Sequence, residues 1–188
     1  MRSRRLIIAI MICFGCVLGA NAQALDSSDS SEYLIKAGFI YNFAQLVEWP
    51  PSAFPQSDSP IVIGILGSDP FGTTIDRIVE NKKIHGRGLV IKRVKWGTDL
   101  KDCDILFVSS SETARIDELI HAVKGMPILT IGETPSFARR GGVINLIVED
   151  NKVRFEVNVD AARQAGLNIS SRLLALARII PATSTEVR

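Results

Sequence analysis

Ile61-Val-Ile-Gly-Ile-Leu66 is an unbroken apolar run between Pro60 and Gly67-Ser68-Asp69-Pro70. A run this short, rich in β-branched residues and bounded by turn formers, reads as a strand buried on both faces. Asp104-Ile-Leu-Phe-Val-Ser109 and Pro127-Ile-Leu-Thr-Ile131 repeat the pattern, and Gly88-Leu-Val-Ile-Lys-Arg-Val94 adds a fourth strand. Helical stretches alternate with them. The spacing predicts a helix from Pro70 to Glu80, capped by Ser68 or Asp69, and another from Ser111 to Val123, ended by Gly125. Past Gly141-Gly142, residues 143–149 and 152–158 read as a hairpin turning at Asp150-Asn151. Asp160 is then placed to cap residues 161–165, Gly166 breaks that helix, and residues 170–180 resume it. The fold class that follows is a single three-layer α/β domain over residues 32–180. Its sheet is mostly parallel, with an antiparallel C-terminal hairpin and flanking helices.

Upstream of that core, Tyr33 to Val47 carries apolar residues at 40, 43, 44 and 47, with Leu34, Ala37 and Tyr41 forming a second stripe beside them. Such a helix is buried around most of its circumference, and Pro50 stops it. Lys36 shares this apolar side with Phe39, Ile40 and Phe43, so its stem is expected to be buried with the ammonium reaching toward water.

The N-terminus has a different character. Arg2, Arg4 and Arg5 precede the apolar stretch Leu6–Leu18, and Ala20-Asn21-Ala22 follows. A basic segment, a short apolar core and an Ala-x-Ala site are the parts of an export signal peptide, here cleaved after Ala22. The apolar core has 13 residues, short of the roughly 20 that cross a bilayer. Cys16 lacks the preceding leucine that lipidation would require. Residues 23–31 are rich in Asp and Ser and read as a disordered leader, and residues 181–188 as a flexible tail. Removing residues 1–22 from 188 leaves 166, takes three arginines from the 22 basic residues, and leaves 19 against 20 acidic. The mature chain is therefore near neutral, which argues against nucleic-acid binding. No later stretch has the length to enter a membrane. Of three cysteines, Cys13 and Cys16 leave with the peptide. Cys103 then has no second cysteine to bridge within the mature chain.

Catalytic signatures are weak. His85 and His121 are the only histidines, and no Cys or carboxylate cluster stands at metal-ligand spacing beside them. Ser109-Ser110-Ser111 follows a strand but lacks the Gly-x-Ser-x-Gly frame, so helix capping explains it better than nucleophilic chemistry. Acidic neighbours on both sides of Cys103 raise a thiol's pKa and oppose a nucleophilic role. Gly67, Ser68 and Gly72 form a strand-to-helix turn whose amides are a candidate anion or ligand site, although the turn matches neither the dinucleotide fingerprint nor the P-loop. The reading is of a protein without catalysis or cofactor.

Several segments, in order, resemble the periplasmic YfiR family. They are Lys36-Ala-x-Phe-Ile-Tyr-Asn-Phe-Ala44 with Val47-Glu-Trp-Pro50; Gly86-Arg87; Cys103-Asp-Ile-Leu-Phe107; Gly125-Met-Pro-Ile-Leu-Thr-Ile-Gly132; Phe137-Ala-Arg-x-Gly-Gly-Val-Ile144; Arg154-Phe-Glu-Val-Asn158; and Ile169-Ser-Ser-x-Leu-Leu174. The resemblance implies a small α/β regulator that binds the periplasmic sensor domain of an inner-membrane diguanylate cyclase and lowers cyclic di-GMP output, with a tendency to form homodimers. It also implies disulfides in the family archetype; Cys103 resembles one such cysteine, but its mate is missing here. The candidate partner-binding residues are Phe137, Arg139 and Arg140, because aromatic and arginine side chains are enriched at interfaces. The exposed side of the first helix is a second candidate surface. The alternative is a periplasmic small-ligand binding protein feeding a sensor kinase or transporter, with its pocket near Gly67–Gly72 and Ser109–Ser111 at the strand ends.

Overall fold

A computed structural model describes residues 20–181 of the chain. Helix α1 (Ala20–Leu46) leads into a two-residue strand β1 (Val47–Glu48). Then follow β2 (Ile61–Leu66), α2 (Thr74–Val79), β3 (Lys83–Ile84), β4 (Arg87–Val94), β5 (Ile105–Val108), α3 (Ile116–Ala122) and β6 (Leu129–Gly132). The C-terminal part is β7 (Ile144–Glu149), β8 (Lys152–Val157), α4 (Val159–Gln164), β9 (Asn168–Ile169), α5 (Ser171–Leu174) and β10 (Arg178–Ile179).

The main sheet has eight strands in the order β10-β8-β7-β6-β5-β2-β4-β3. From β4 to β7 every neighbour pair is parallel, while β7–β8 and β3–β4 are antiparallel. The chain moves outward in both directions from β2, first to β4 and then to β5. The crevice between the carboxyl ends of β2 and β5 is therefore the topological switch point, where open α/β sheets place ligands. One face carries Ala37, Ile40, Phe43 and Ala44 of α1, Ile75 and Val79 of α2, and Leu173 of α5, packed on Ile63, Ile105, Phe107 and Ile131. The other face packs Ile116 and Leu119 of α3, Val123 just past its end, and Phe137 on Leu66, Leu106 and Val108. These are the three expected layers, and the central strands are apolar throughout because both faces are covered.

Several local expectations are corrected. Residues 23–31 are helical rather than a disordered leader, because the buried second half of α1 is a formed nucleus from which helix propagates at little cost. The apolar export segment at 6–18 and tail residues 182–188 lie outside the described residues. Leu34 is 52% exposed, so the second stripe of α1 is not buried throughout. Helix α2 starts at Thr74, not Pro70, since the Asp69 carboxylate accepts the Phe71 N–H and holds residues 69–73 in a turn. Ser109 rather than Ser111 caps the helical segment after β5, which begins as a 3-10 turn over Ser110–Arg115. Asn158, not Asp160, caps α4, accepting the Ala161 N–H at 2.9 Å. The helix expected through 170–180 stops at Leu174, and residues 178–179 pair with β8 instead. Two turns match their sequence signals: Asp150 (φ 51°) and Asn151 (φ 56°) close the β7–β8 hairpin, and Gly166 (φ 71°) ends α4. The β3–β4 hairpin, closed by His85 (φ 50°) and Gly86 (φ 84°), has no counterpart in the sequence reading.

Candidate functional site

Beside the switch-point crevice, at the carboxyl ends of β5 and β6, polar side chains pair with one another. Glu133 leaves the end of β6 and Ser110 the end of β5, while Tyr33 and Lys36 come from α1 above them. Lys36 Nζ lies 2.7 Å from Glu133 Oε2 and 2.6 Å from Glu32 Oε1, with both the Lys36 and Glu133 side chains at 5% exposure or less. Glu133 Oε1 also accepts the Ser110 N–H at 3.2 Å and lies 3.5 Å from the Tyr33 hydroxyl. The Lys36 ammonium sits 4.5 Å from the Tyr33 ring centre. Burial alone would lower the Lys36 pKa, but the hydrogen bonds and charge of Glu133, with the bond to Glu32, outweigh it and leave the pKa raised. Burial, then the charge of Glu133, raises the Tyr33 hydroxyl. Lysine is thus held charged across the neutral range. The cluster is an anchor for α1, with its donors and acceptors already committed to one another.

The Gly67–Gly72 turn is similarly engaged. The Ser68 N–H donates to Ser111 Oγ at 2.9 Å, and a Cβ on Gly67 would collide with Ser111 and Glu112. Glu112 accepts from Trp96 Nε1 at 2.7 Å. Phe71 is buried edge-on to Phe107, their ring centres 4.7 Å apart. Arg93 of β4 binds Asp69 at 2.9 Å, the Gly72 carbonyl at 2.7 Å and both oxygens of Asp76. At the candidate anion turn, the Ser68 N–H is thus bonded to Ser111, the Phe71 N–H to Asp69, and the Gly72 carbonyl to Arg93.

Sequence reasoning placed Phe137, Arg139 and Arg140 together on one turn, and the structure separates them by environment. Phe137 is fully buried, lying over Gly132 and Gly142, where any Cβ would overlap its ring. Its ring is core and forms no part of a surface; two glycines beside the turn are the signal that marks it so. Arg139 is exposed. Arg140 is partly exposed, donating to Asp117 Oδ1 at 2.8 Å and to the Thr113 carbonyl at 3.3 Å. Cys103 is 4% exposed, and a Cβ on Gly64 would come within 2.5 Å of its sulfur.

Other residues of the quoted motifs meet at the amino edge of the sheet. Trp49 Nε1 donates to the Asp104 carbonyl at 3.2 Å, and Asp104 Oδ2 accepts the Val62 N–H at 2.8 Å. Burial pushes the Asp104 carboxyl above its ordinary value, partly opposed by the Val62 bond. Arg87 stacks on Phe54 at 3.9 Å and donates to the carbonyls of Gln56 and Ser59, pinning the Pro-rich loop. Their roles are structural.

A sequence model of the family described as YfiR/HmsC-like matches residues 33–178. Among solved structures, the ABC domain in complex with L-Trp from Streptococcus pneumonia is 11% identical, with a TM-score of 0.48, over 64% of this chain and 55% of that one. A conserved domain protein from Vibrio cholerae is 14% identical, with a TM-score of 0.45, over 63% and 54%. The chain spans about half the length of these structures.

Proposed function

Because this chain belongs to the YfiR/HmsC-like family, we propose that it is a periplasmic regulator that lowers the output of an inner-membrane diguanylate cyclase by binding that enzyme's periplasmic sensor domain. The family match over residues 33–178 carries this reading. It is consistent with the strand ends, where Lys36 pairs with Glu133, Ser111 accepts from the Ser68 N–H and Glu112 accepts from Trp96. Export fits the basic and apolar N-terminal segment, with cleavage after Ala22.

Regulation of this kind needs no reaction at the regulator. A protein that binds the inactive state of its partner more tightly than the active state shifts the equilibrium by the ratio of the two affinities. A ratio of about 100 corresponds to roughly 2.7 kcal/mol, within the range of allosteric coupling energies. The partner surface proposed here includes Arg139 and Arg140 and excludes the Phe137 ring. Leu34 and Ile35, about half exposed on the outer side of α1, offer a second contact face. The small-ligand alternative would place its pocket at these strand ends, where Lys36 pairs with Glu133, the Ser110 N–H donates to Glu133 and the Ser68 N–H donates to Ser111, and this network favours the regulatory reading. Deleting the gene is expected to raise cellular cyclic di-GMP; an unchanged level would reject the regulatory reading.

A further inference from the structure

The sheet face covered by α3 carries an open groove. It lies between α3 and α4, has a volume of about 320 Å³, and is floored by Thr130 and Val143. The groove exists for identifiable reasons. The connection from β6 to β7 contains no helix, so the layer that holds α3 has a gap beside it. Gly141, Ala161 and Ala165 line that gap with little or no side chain, and Gly141 (φ 103°) cannot take a larger residue without backbone strain.

The polar groups at this groove favour an anion. Arg140 lines it, and its guanidinium is aimed by the bonds to Asp117 and the Thr113 carbonyl, while Nη2 makes no hydrogen bond among the described residues. Lys124 and His121 stand on the same rim. At the floor, the buried Thr130 hydroxyl accepts the Val143 N–H at 3.0 Å, leaving its own proton to donate. Asp117 is the one carboxylate in the lining, and its side chain is 78% exposed, turned toward water. An apolar trough with an oriented arginine at its mouth matches an amphipathic monocarboxylate, which the Nη2 group of Arg140 can hold by a charge-assisted hydrogen bond. The volume suits a molecule of modest size.

We propose that the α3–α4 groove binds a small carboxylate with an apolar body, the carboxylate paired with Arg140 and the body lying over Val143 between Ile120 and Ala165. This site is distinct from the switch point and shares Arg140 with the proposed partner surface.

Octanoate is the probe, titrated into the purified chain and followed by amide NMR and calorimetry, with octylammonium as the charge-reversed control. Saturable shifts are expected at Thr130, Gly141 and residues 161–165 with octanoate and not with octylammonium. Arg140→Gln should weaken binding at least tenfold, Ala165→Trp should fill the trough and abolish it, and Asp117→Asn should strengthen it by removing the competing carboxylate. Asp117→Asn alters an exposed surface position and keeps the test valid if Arg140→Gln fails to fold. Absence of saturable binding at millimolar octanoate, equal binding of octylammonium, or Asp117→Asn binding more weakly than the parent would overturn the proposal.

Discussion

Lys36 and Glu133 show how one buried pair can dominate the local energetics. Each desolvated charge is compensated by the other, so removing one partner strands its mate. Lys36→Ala is expected to cost about 3–5 kcal/mol in urea unfolding, whereas Lys36→Met combined with Glu133→Leu should recover at least half of that loss. A single variant as stable as the parent would contradict the anchoring role. Because the Lys36 pKa is raised, its contribution is complete below the ordinary lysine value and is lost only as pH climbs through the raised value, so the neutral range leaves it intact. Asp104 behaves oppositely to a salt-bridged acid. Its carboxyl is raised by burial, so its contribution to stability is greatest below the ordinary aspartate value, near 3.9, and declines as pH rises through the raised one. Asp104→Asn keeps an acceptor for Val62 and lacks this decline. Its melting temperature relative to the parent should therefore increase between about pH 3 and pH 7; a flat difference would contradict the burial effect. The burial of the Lys36 stem was legible from the helix stripe. Its ammonium was expected to reach water, and instead meets a carboxylate 97 residues away, a pairing that local pattern cannot reveal.

At the scale of elements, the turn between β6 and β7 is organised by Phe137. Its ring occupies the volume that side chains at Gly132 and Gly142 would need. Phe137→Ala should lower stability by about 3–5 kcal/mol through the cavity it leaves. Gly142→Ala should be destabilising too, through overlap with the ring, and combining it with Phe137→Leu should cost less than the two separate losses added together. Additive losses would show that the ring and the glycine do not share this space. The strands were readable because a double-covered parallel sheet demands continuous apolar runs, and the β7–β8 hairpin because Asp150-Asn151 suits two residues of positive φ. Helix ends were less readable. Asp69 competes with the helix by bonding the Phe71 N–H, and Asn158 captures a cap that Asp160 could have supplied. Leu173-Leu174-Ala175-Leu176-Ala177 has helical propensity, yet the chain leaves the helix to pair Arg178 and Ile179 with the open edge of β8. There tertiary pairing overrides local preference.

For the whole molecule, the two edges of the sheet have been put to different uses. The carboxyl edge, where this topology ordinarily receives ligands, carries the Tyr33–Lys36–Glu133 network and the Ser68–Ser111 bond. The amino edge holds the Arg87 and Asp104 clamps, and the open α3–α4 groove runs along the face covered by α3. The sequence made the layered architecture and the family resemblance legible. It could not show the bonds that Arg93 and Ser111 make to the Gly67–Gly72 turn, because they reach it from separate strands and turns. The regulatory reading requires the chain to act across the membrane from the cyclase's catalytic domain, so its compartment is part of the claim. The most direct test measures cyclic di-GMP in a deletion strain complemented either with the full chain or with a version lacking residues 2–22. The full chain should return the raised level to that of the parent strain, and the unexported version should leave it high. Equal lowering by both versions, or a deletion that changes nothing, would contradict a periplasmic regulator.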